Sequence, residues 1–365
     1  MTDDWILTLN AGSSSLKFAA YARHSDHQIT SGQIAAIGPD ARLHTDVGDI
    51  TVAAHNHTEA VRAALQFLDN QPLLNPLPSI VGHRIVHGGN LLATAEITPE
   101  IRQEIEAAAT LAPLHNPPAL AVIDAVHTLT NEVRQVACFD TTFHADNPPE
   151  ATTLPIPKDL REKGIRRYGF HGLSYASLVR RFSSVTGTLL PKRVLAFHLG
   201  AGASLAAIVE GKGVATTMGF SPMDGLVMAT RAGAMDAGVI LHLMRSERMG
   251  ADQIDHLLNR ESGLQALSGG NSDMKSLLVS DDPAAKFAVS HYCYWSSRHA
   301  GSMIAAMGGV DGLIFTGGIG ENAELIREEI LNRLSWVGKL PHWAISADEE
   351  GEIAYDARLA LKAKP

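Results

Sequence analysis

The sequence predicts an α/β fold of two domains, and four observations support this prediction. Short β-rich runs alternate with stretches of helical periodicity along the chain. Three of the β-rich runs share one pattern, in which a short apolar strand is followed directly by a glycine-bearing turn. The 365 residues are enough for two ordinary domains or for one large domain with a deep cleft. A proline-rich passage near residue 150 is the predicted crossing between two domains.

The composition is typical of a soluble globular protein. Apolar residues make up 45% of the chain and charged residues 19%. The net charge of −9 argues against a protein that coats nucleic acid, although a few convergent arginines can still hold a small anion. The start of the chain has no basic signal-peptide region, and no apolar run approaches the roughly 18 residues of a membrane helix. We therefore expect no nucleic-acid or membrane partner.

Cysteine usage favours a reducing compartment. Cys138 and Cys293 are the two cysteines of the chain, too few for a disulfide framework or a cysteine-rich zinc site. No HExxH spacing occurs, so a catalytic zinc ion is not expected. These features predict a cytoplasmic protein.

The elements of the first half follow from turn chemistry and periodicity. A helix start is predicted at Thr98, where a capping threonine is followed by a proline and then by an acidic residue, Glu100, in the usual order. The predicted elements, in order, are a hairpin over residues 5–21, a strand over 80–86, a helix over 99–111, a helix from Asn116, and a strand over 132–139 that ends at Asp140.

The second half begins after Asn147, where prolines cluster. We predict a first domain over 1–147, a second over 148–350, and a final segment, 351–365, that packs back on the first. The predicted strands cover 194–197, 205–209 and 312–315, and the predicted helices cover 236–244, 282–307 and 323–334.

The three glycine-bearing turns are candidates for phosphate binding. They lie in Leu7–Ser15, Ala196–Ser204 and Ile314–Asn322, with the sequences LTLNAGSSS, AFHLGAGAS and IFTGGIGEN. Glycine lets the backbone approach a ligand closely, and bare amides in such turns form concavities that bind anions. The first two turns continue as hairpins, whereas the third enters a helix whose N-terminal dipole favours an anion.

Two arginines stand out by their context. Arg84 interrupts an apolar strand, where a buried guanidinium needs an anion or several acceptors. Arg231 lies in a loop of small residues without an evident helical ion-pair partner. Either side chain could serve a salt bridge alone, but the planar guanidinium also matches carboxylate and phosphoryl oxygens in pairs.

Histidines and one carboxylate lie beside predicted turns. For His83 and His87, which flank Arg84, a structural role is favoured, whereas for His171, between glycines, a structural and a functional role are equally supported. Asp140 ends a strand at the edge of a sheet where α/β enzymes place catalytic groups, and a turn cap is the alternative. Ser174 is interpreted as a helix N-cap rather than a nucleophile.

Eight motifs together resemble the acetate kinase family, also called the acetokinase family. In order they are LTLNAGSSSLKF, VGHRIVHGG, LAPLHNPPAL, CFDTTFH, RRYGFHGLSY, FHLGAGAS, GFSPMDGLVMATRAG and IFTGGIGEN, and they span roughly residues 5–335. The family belongs to the actin, sugar kinase and Hsp70 superfamily. The resemblance implies two ribonuclease-H-like, actin-like ATPase domains flanking a nucleotide cleft, and a homodimer. It also implies reversible transfer of the ATP γ-phosphoryl group to acetate, giving acetyl phosphate and ADP, with Mg²⁺, or Mn²⁺ in its place.

The resemblance also implies roles for individual residues. The catalytic residues would be Asp140, His171 and Arg231. Arg84 would bind the acetate carboxylate, and its methyl group would face Val86, Leu114, Phe170 and Pro222. The metal site would include Asn10 and Glu349. The ATP-binding residues would be Lys17, His198, Leu199, Gly200, Ala201, Gly202, Asp273, Met274, Lys275, Gly318, Ile319, Gly320, Glu321 and Asn322.

The chain departs from the family pattern at a few positions. Ala201 replaces the usual asparagine of the second turn, and Lys275 replaces an arginine, which keeps the charge but loses the planar fork. The segment before Glu349 is shorter than in the family. The sequence leaves open propionate as the substrate, although Val86 favours the smaller acyl group, and it leaves open a nucleotide-binding regulator without transfer activity.

Overall fold

The structure, a computed structural model, describes residues 4–46, 48–71, 74, 77–130 and 133–362. These residues form two compact units. The first unit comprises the described residues up to Thr142, Gly172–Ser177, and those from Asp348 onward; the second comprises Phe143–His171 and Leu178–Ala347. The sequence predicts domain bounds after residues 147 and 350, whereas these units divide after Thr142 and Ala347, with Gly172–Ser177 in the first unit. Residues 363–365 of the predicted final segment lie outside the described residues.

The strands and helices of the described chain are these. The strands are β1 (Trp5–Ala11), β2 (Leu16–Ala22), β3 (Gln28–Ala35), β4 (Arg42–Thr45), β5 (Gly48–Thr51), β6 (Ile80–Ile85), β7 (Ala95–Glu96), β8 (Arg134–Phe139), β9 (Arg193–Leu199), β10 (Ala203–Val209), β11 (Lys212–Thr216), β12 (Gly312–Thr316) and β13 (His342–Ala344). The helices are α1 (His57–Asp69), α2 (Pro99–Ala107), α3 (Asn116–Thr130), α4 (Pro149–Thr152), α5 (Lys158–Arg161), α6 (Gly172–Thr186), α7 (Ala237–Arg245), α8 (Ala251–Arg260), α9 (Gly263–Leu267), α10 (Met274–Leu278), α11 (Pro283–Met307), α12 (Gly317–Asn322), α13 (Glu324–Arg333) and α14 (Glu349–Lys362).

The first unit is built on a sheet with the strand order β5-β4-β3-β2-β1-β6-β8-β7. Both faces of its central strands are buried, which explains the continuous apolar run at the start of β1. Leu7 and Leu9 pack on the side of α1 and α3, whereas Ile6 packs with Ile353 of α14 on the opposite face. Because β1, β6 and β8 run parallel, their carboxyl ends meet at one edge of the sheet.

The second unit repeats the core topology of the first. Its sheet has the order β11-β10-β9-β12-β13, in which β11, β10 and β9 are antiparallel neighbours and β12 and β13 run parallel to β9. The strands β3-β2-β1-β6-β8 of the first unit have the same succession of directions. The predicted class, α/β with two ribonuclease-H-like units, is confirmed.

Most elements predicted from local signals are present, and a few differ. The hairpin at 5–21 and the long helix after Asp282 are confirmed. The predicted strand at 132–139 is observed from Arg134, and Glu132 lies outside the described residues. The N-cap of α6 is His171, so the prediction of Ser174 as the cap is wrong. Among the described residues, no helix has both the length and the apolarity needed to cross a membrane.

The third glycine-bearing segment, predicted as a turn over 316–322, is the helix α12. The carboxylate of Glu321 accepts a hydrogen bond from the amide of Gly317 at 3.0 Å and one from the amide of Ala347 at 2.9 Å. Gly317 has a φ of +76°, and a Cβ there would lie 2.7 Å from the carbonyl oxygen of Leu199. The close approach to β9 requires glycine at this position, and the carboxylate of Glu321, which also bonds to Ala347, stabilises a helix that the glycine content disfavours.

Candidate active site

A cluster of charged side chains lies at the carboxyl edge of the first unit's sheet. Arg84 on β6 and Asp140 directly after β8 are neighbours because the two strands run parallel with Arg84 opposite Cys138. Asn10 comes from the end of β1, and the start of α14 contributes Glu349. We call these residues, with Glu350, the arginine cluster.

The guanidinium of Arg84 is the centre of this cluster. It donates from Nη2 to Oδ2 of Asp140 at 2.7 Å, and its Nε lies 3.2 Å from both carboxylate oxygens. Its Nη1 donates to Oδ1 of Asn10 at 3.3 Å and lies 3.0 Å from Oε2 of Glu349. Asn10 in turn donates from Nδ2 to Oε1 of Glu350 at 3.1 Å. The groups that these contacts place against the guanidinium are oxygen acceptors, as the burial of its charge requires.

The charges within the arginine cluster shift the pKa of its members. Burial opposes the charge on Arg84, but the facing carboxylates of Asp140 and Glu349 outweigh it and raise the pKa of the guanidinium, which stays charged. Burial raises the pKa of Asp140 to about 6, against the opposing effect of Arg84. A carboxylate with a perturbed pKa beside a charged partner at a sheet edge is a common feature of active sites.

The arginine cluster also contains the residues predicted for a metal site. Asn10 and Glu349 supply amide and carboxylate oxygens, which are the donors that Mg²⁺ prefers. Within the described ranges, no group of three or more His, Cys, Asp or Glu side chains is arranged to hold a metal ion. Mg²⁺ is commonly held by one or two carboxylates together with substrate phosphates. The oxygens of Asn10 and Glu349 therefore fit a Mg²⁺ ion that is also bound by the phosphates of a nucleotide.

In the second unit, His171 is held by two side chains of the β9–β10 hairpin. Its ring stacks on that of His198, with centroids 4.1 Å apart and planes 19° from parallel. Its Nδ1 lies 2.8 Å from Oγ of Ser204. We call His171, His198 and Ser204 the histidine platform. His171 has a φ of +58°, a left-handed conformation that costs a residue with a side chain roughly 1 kcal/mol and that recurs at functional sites.

Arg231 and His171 converge on one glycine. A Cβ at Gly202 would lie 2.9 Å from Nη2 of Arg231 and 3.2 Å from Nε2 of His171. Nη1 of Arg231 donates to the carbonyl of Pro222 at 2.6 Å. Burial, with a smaller effect from Arg260, lowers the pKa of Arg231 to about 10, which leaves it charged at neutral pH. Two side-chain nitrogens thus lie close to the same side of one glycine.

A cavity of about 1000 Å³ extends from the turn before Gly202, and its volume is that of a site for a large organic ligand. The turn between β9 and β10 and the helix α12 both line this cavity. The predicted ATP-binding residues that line it are Gly200, Ala201, Asp273, Met274, Lys275, Gly318, Ile319 and Asn322. Apolar lining comes from Leu278, Val279 and Leu325, which the sequence analysis did not single out.

Other predicted ATP-binding residues have different surroundings. Lys17 is exposed in the first unit and lines a groove with Asp348 and Glu350. Leu199 is fully buried in β9, Gly320 is buried in α12, and Glu321 caps that helix. Of the residues predicted to face the acyl group, Val86, Leu114 and Pro222 are partly buried and Phe170 is fully buried.

The sequence analysis missed two polar residues of these clusters. Ser204 closes the FHLGAGAS motif and Glu350 follows Glu349, so both lie inside or beside recognised motifs. A serine or a glutamate at these positions does not indicate, from sequence alone, which side chain it contacts. A third, His144, donates from Nε2 to the carbonyl of Phe170 at 3.0 Å and supports the backbone next to His171.

We expect acid to destabilise the protein through His83 and His144. Burial lowers the pKa of each histidine to about 4, with only partial compensation by a hydrogen bond. Between pH 6.5 and 4 the unfolded chain binds protons that the folded protein does not, so the free energy of unfolding falls, by about 3 kcal/mol per histidine. Denaturant midpoints measured across this range should fall less steeply in His83→Asn than in the exposed control His24→Asn. Equal slopes would contradict the prediction for His83.

The chain is similar to a family of known enzymes. Residues 5–353 match the model of the acetokinase family. An acetate kinase of Rhodopseudomonas palustris (strain TIE-1) is 40% identical over 96% of this chain and 97% of its own length.

Two solved structures are also similar. The acetate kinase of Porphyromonas gingivalis has a TM-score of 0.88 and 33% identity, covering 98% of this chain and 100% of that one. A propionate kinase from Francisella tularensis has a TM-score of 0.92 and 29% identity, covering 98% and 99%.

Proposed function

The chain belongs to the acetokinase family, and we propose that it is an acetate kinase that reversibly transfers the γ-phosphoryl group of ATP to the carboxylate of acetate. The single observation that carries this proposal is the convergence of Arg231 and His171 on Gly202, one residue beyond the lining of a cavity of nucleotide size. A protein that only binds nucleotide has no need of two donors aimed at this point.

The nucleophile in this reaction is already an anion. An oxygen of acetate forms a new bond to the γ-phosphorus while the bond from that phosphorus to the β–γ bridging oxygen breaks, so ADP leaves and no proton has to be removed. Arg84 binds the acetate carboxylate through the positive charge of its guanidinium. Asp140 holds the guanidinium in position, as its hydrogen bonds to Nε and Nη2 support.

Arg231 and His171 act on the phosphoryl group. Charge spreads over its three equatorial oxygens in the transition state, and catalysis is mainly positioning plus neutralisation of that charge. Arg231 contributes a positive charge and His171 a hydrogen bond. Preorganised donors of this kind lower the barrier because they need no rearrangement during the reaction.

We propose that Asn10 and Glu349 contribute ligands to Mg²⁺, with Mn²⁺ as a substitute. When bound, the ion supplies positive charge to the β- and γ-phosphates. Glu350 is a further candidate ligand, because Asn10 already contacts it. The cavity residues of the second unit bind ATP or ADP, and Lys275 contacts the nucleotide as a point charge in place of an arginine.

The test of this function is the formation of acyl hydroxamate from MgATP, hydroxylamine and a series of acids. We expect acetate to react faster than propionate and butyrate, because Val86 limits the space at the acyl group and one methylene changes selectivity by about 1–3 kcal/mol. A faster reaction with propionate would favour the activity named for the Francisella tularensis relative. Binding of ATP without hydroxamate from any acid would instead support the regulator hypothesis.

We also propose that the protein is a cytoplasmic homodimer that pairs through α7. This apolar helix has no buried residue, and Val239, Leu241 and Met244 are 41%, 46% and 47% exposed. Exposed apolar surface of this kind marks an interaction site, and a second copy is the partner expected in this family. Leu241→Asp should shift the mass measured by light scattering from dimer to monomer. Leu189→Asp, at an 87% exposed position, should leave the dimer intact; a dimeric Leu241→Asp protein would contradict the proposal.

A further inference from the structure

We propose that Ser204 is a positioning residue that sets the tautomer of His171, so that Nε2 of the imidazole carries the proton offered to the phosphoryl group. This inference rests on the proposed function for its kinetic consequence. Its structural part, the location of the imidazole proton, is independent of any activity.

The position of Ser204 supports this role. The residue lies on β10, opposite His198 of β9 in the antiparallel pair, and its side chain is fully buried. Its Oγ lies 2.8 Å from Nδ1 of His171, within normal hydrogen-bond distance. Because β10 is paired on both sides, with β11 and β9, it is a rigid base for such a contact.

Two further contacts fix the direction in which the imidazole points. The ring of His198 stacks on that of His171, and the backbone of His171 is held in a left-handed conformation at the start of α6. With Nδ1 turned towards Ser204, Nε2 lies 3.2 Å from the Cβ position of Gly202. Nη2 of Arg231 lies 2.9 Å from the same position. Nε2 is therefore the ring atom that shares a target with the arginine.

The chemistry of the hydroxyl explains why serine suits this position. A neutral imidazole has one donor and one acceptor nitrogen, and the partner of one nitrogen decides the state of the other. Phosphoryl oxygens are acceptors, so Nε2 must be the donor and Nδ1 must accept. A hydroxyl can donate to Nδ1 and so is compatible with a proton on Nε2, whereas a carboxylate or carbonyl there would place the proton on Nδ1.

The tautomer can be read by nitrogen NMR of protein labelled with ¹⁵N-histidine at pH 8, with the His171 signals assigned by their loss in His171→Asn. We expect Nε2 to be protonated in the native protein and the two tautomers to be mixed in Ser204→Ala. A native protein with the proton on Nδ1, or an unchanged spectrum in Ser204→Ala, would overturn the proposal.

Kinetics give the second readout. Ser204→Ala should lower kcat about 5–10-fold, as expected for one lost hydrogen bond, with the KM values for ATP and acetate within about twofold. Ser204→Thr, which keeps the hydroxyl, should restore both kcat and the native spectrum. The matched control is Ser296→Ala, since Ser296 is equally buried and its Oγ has no hydrogen-bond partner within the described chain.

The outcomes separate the two proposals. An equal loss of kcat in Ser296→Ala, or increases in KM that account for the whole effect of Ser204→Ala, would reduce Ser204 to a structural role. A native enzyme without phosphoryl transfer, but with the proton on Nε2, would contradict the proposed function and leave the tautomer assignment standing.

Discussion

Replacing Arg231 with alanine is expected to lower kcat about 100–1000-fold, the loss typical when one preorganised donor to a transition state is removed. The KM for ATP should change by less than about threefold, because the cavity that we propose for the nucleotide is lined by other residues. Steady-state kinetics with MgATP and acetate check the first value, and nucleotide titration of the unreacting variant checks the second.

Two variants make this result specific. Arg231→Lys should recover only part of the activity, since an ammonium group keeps the charge but cannot donate to Pro222 and the phosphoryl group in the same planar arrangement. Arg260→Ala removes a charge that influences Arg231 and should change kcat only slightly. If ATP affinity fell as much as turnover in Arg231→Ala, the residue would be a ground-state binding residue and the transition-state role would be lost.

Replacing Arg84 with alanine should affect both activity and stability. The side chain of Asp140 is 1% exposed, and Arg84 is its ion-pair partner at 2.7 Å. Removal of one partner of a buried ion pair costs about 3–5 kcal/mol, because the remaining charge is left uncompensated. The free energy of unfolding, measured by denaturant titration, should fall by this order, and acetate should no longer saturate the enzyme.

The double variant Arg84→Ala, Asp140→Asn separates the two effects. Without the buried charge, it should regain most of the lost free energy of unfolding. It should not regain activity, because the carboxylate of acetate still has no guanidinium to bind. Recovery of activity in the double variant would show that Arg84 serves only to neutralise Asp140.

Short sequence patterns predicted several of the strands and helices that surround the candidate site. The hairpin of β1 and β2 follows from apolar runs around a glycine-serine turn, and the long helix α11 follows from its Asp282 cap and Pro283. These signals act within a few residues, so they can be interpreted without the rest of the chain. The same locality explains why the glycine-rich segment of α12 was assigned to a turn: its stabilising partner, the amide of Ala347, is 26 residues from Glu321.

Residue types also pointed to the side chains of the site, but not to their partners. An arginine within an apolar strand indicates a buried anion or acceptor, and Arg84 indeed contacts Asp140, 56 residues away. The link between Asn10 and Glu350 joins residues 340 positions apart. No spacing rule reaches that far, because it depends on which strands become parallel neighbours and on where α14 packs.

The amino-acid sequence alone determined the family, the α/β class with its repeated glycine-bearing turns, and the identity of the candidate arginines and histidine. Only the tertiary structure decided that Glu321 caps a helix, that His198 and Ser204 support His171, and that Arg231 and His171 aim at Gly202. The reason is physical. A residue's type and its neighbours limit what chemistry it can perform, but the direction of its side chain is set by strand register and packing between segments distant in the chain.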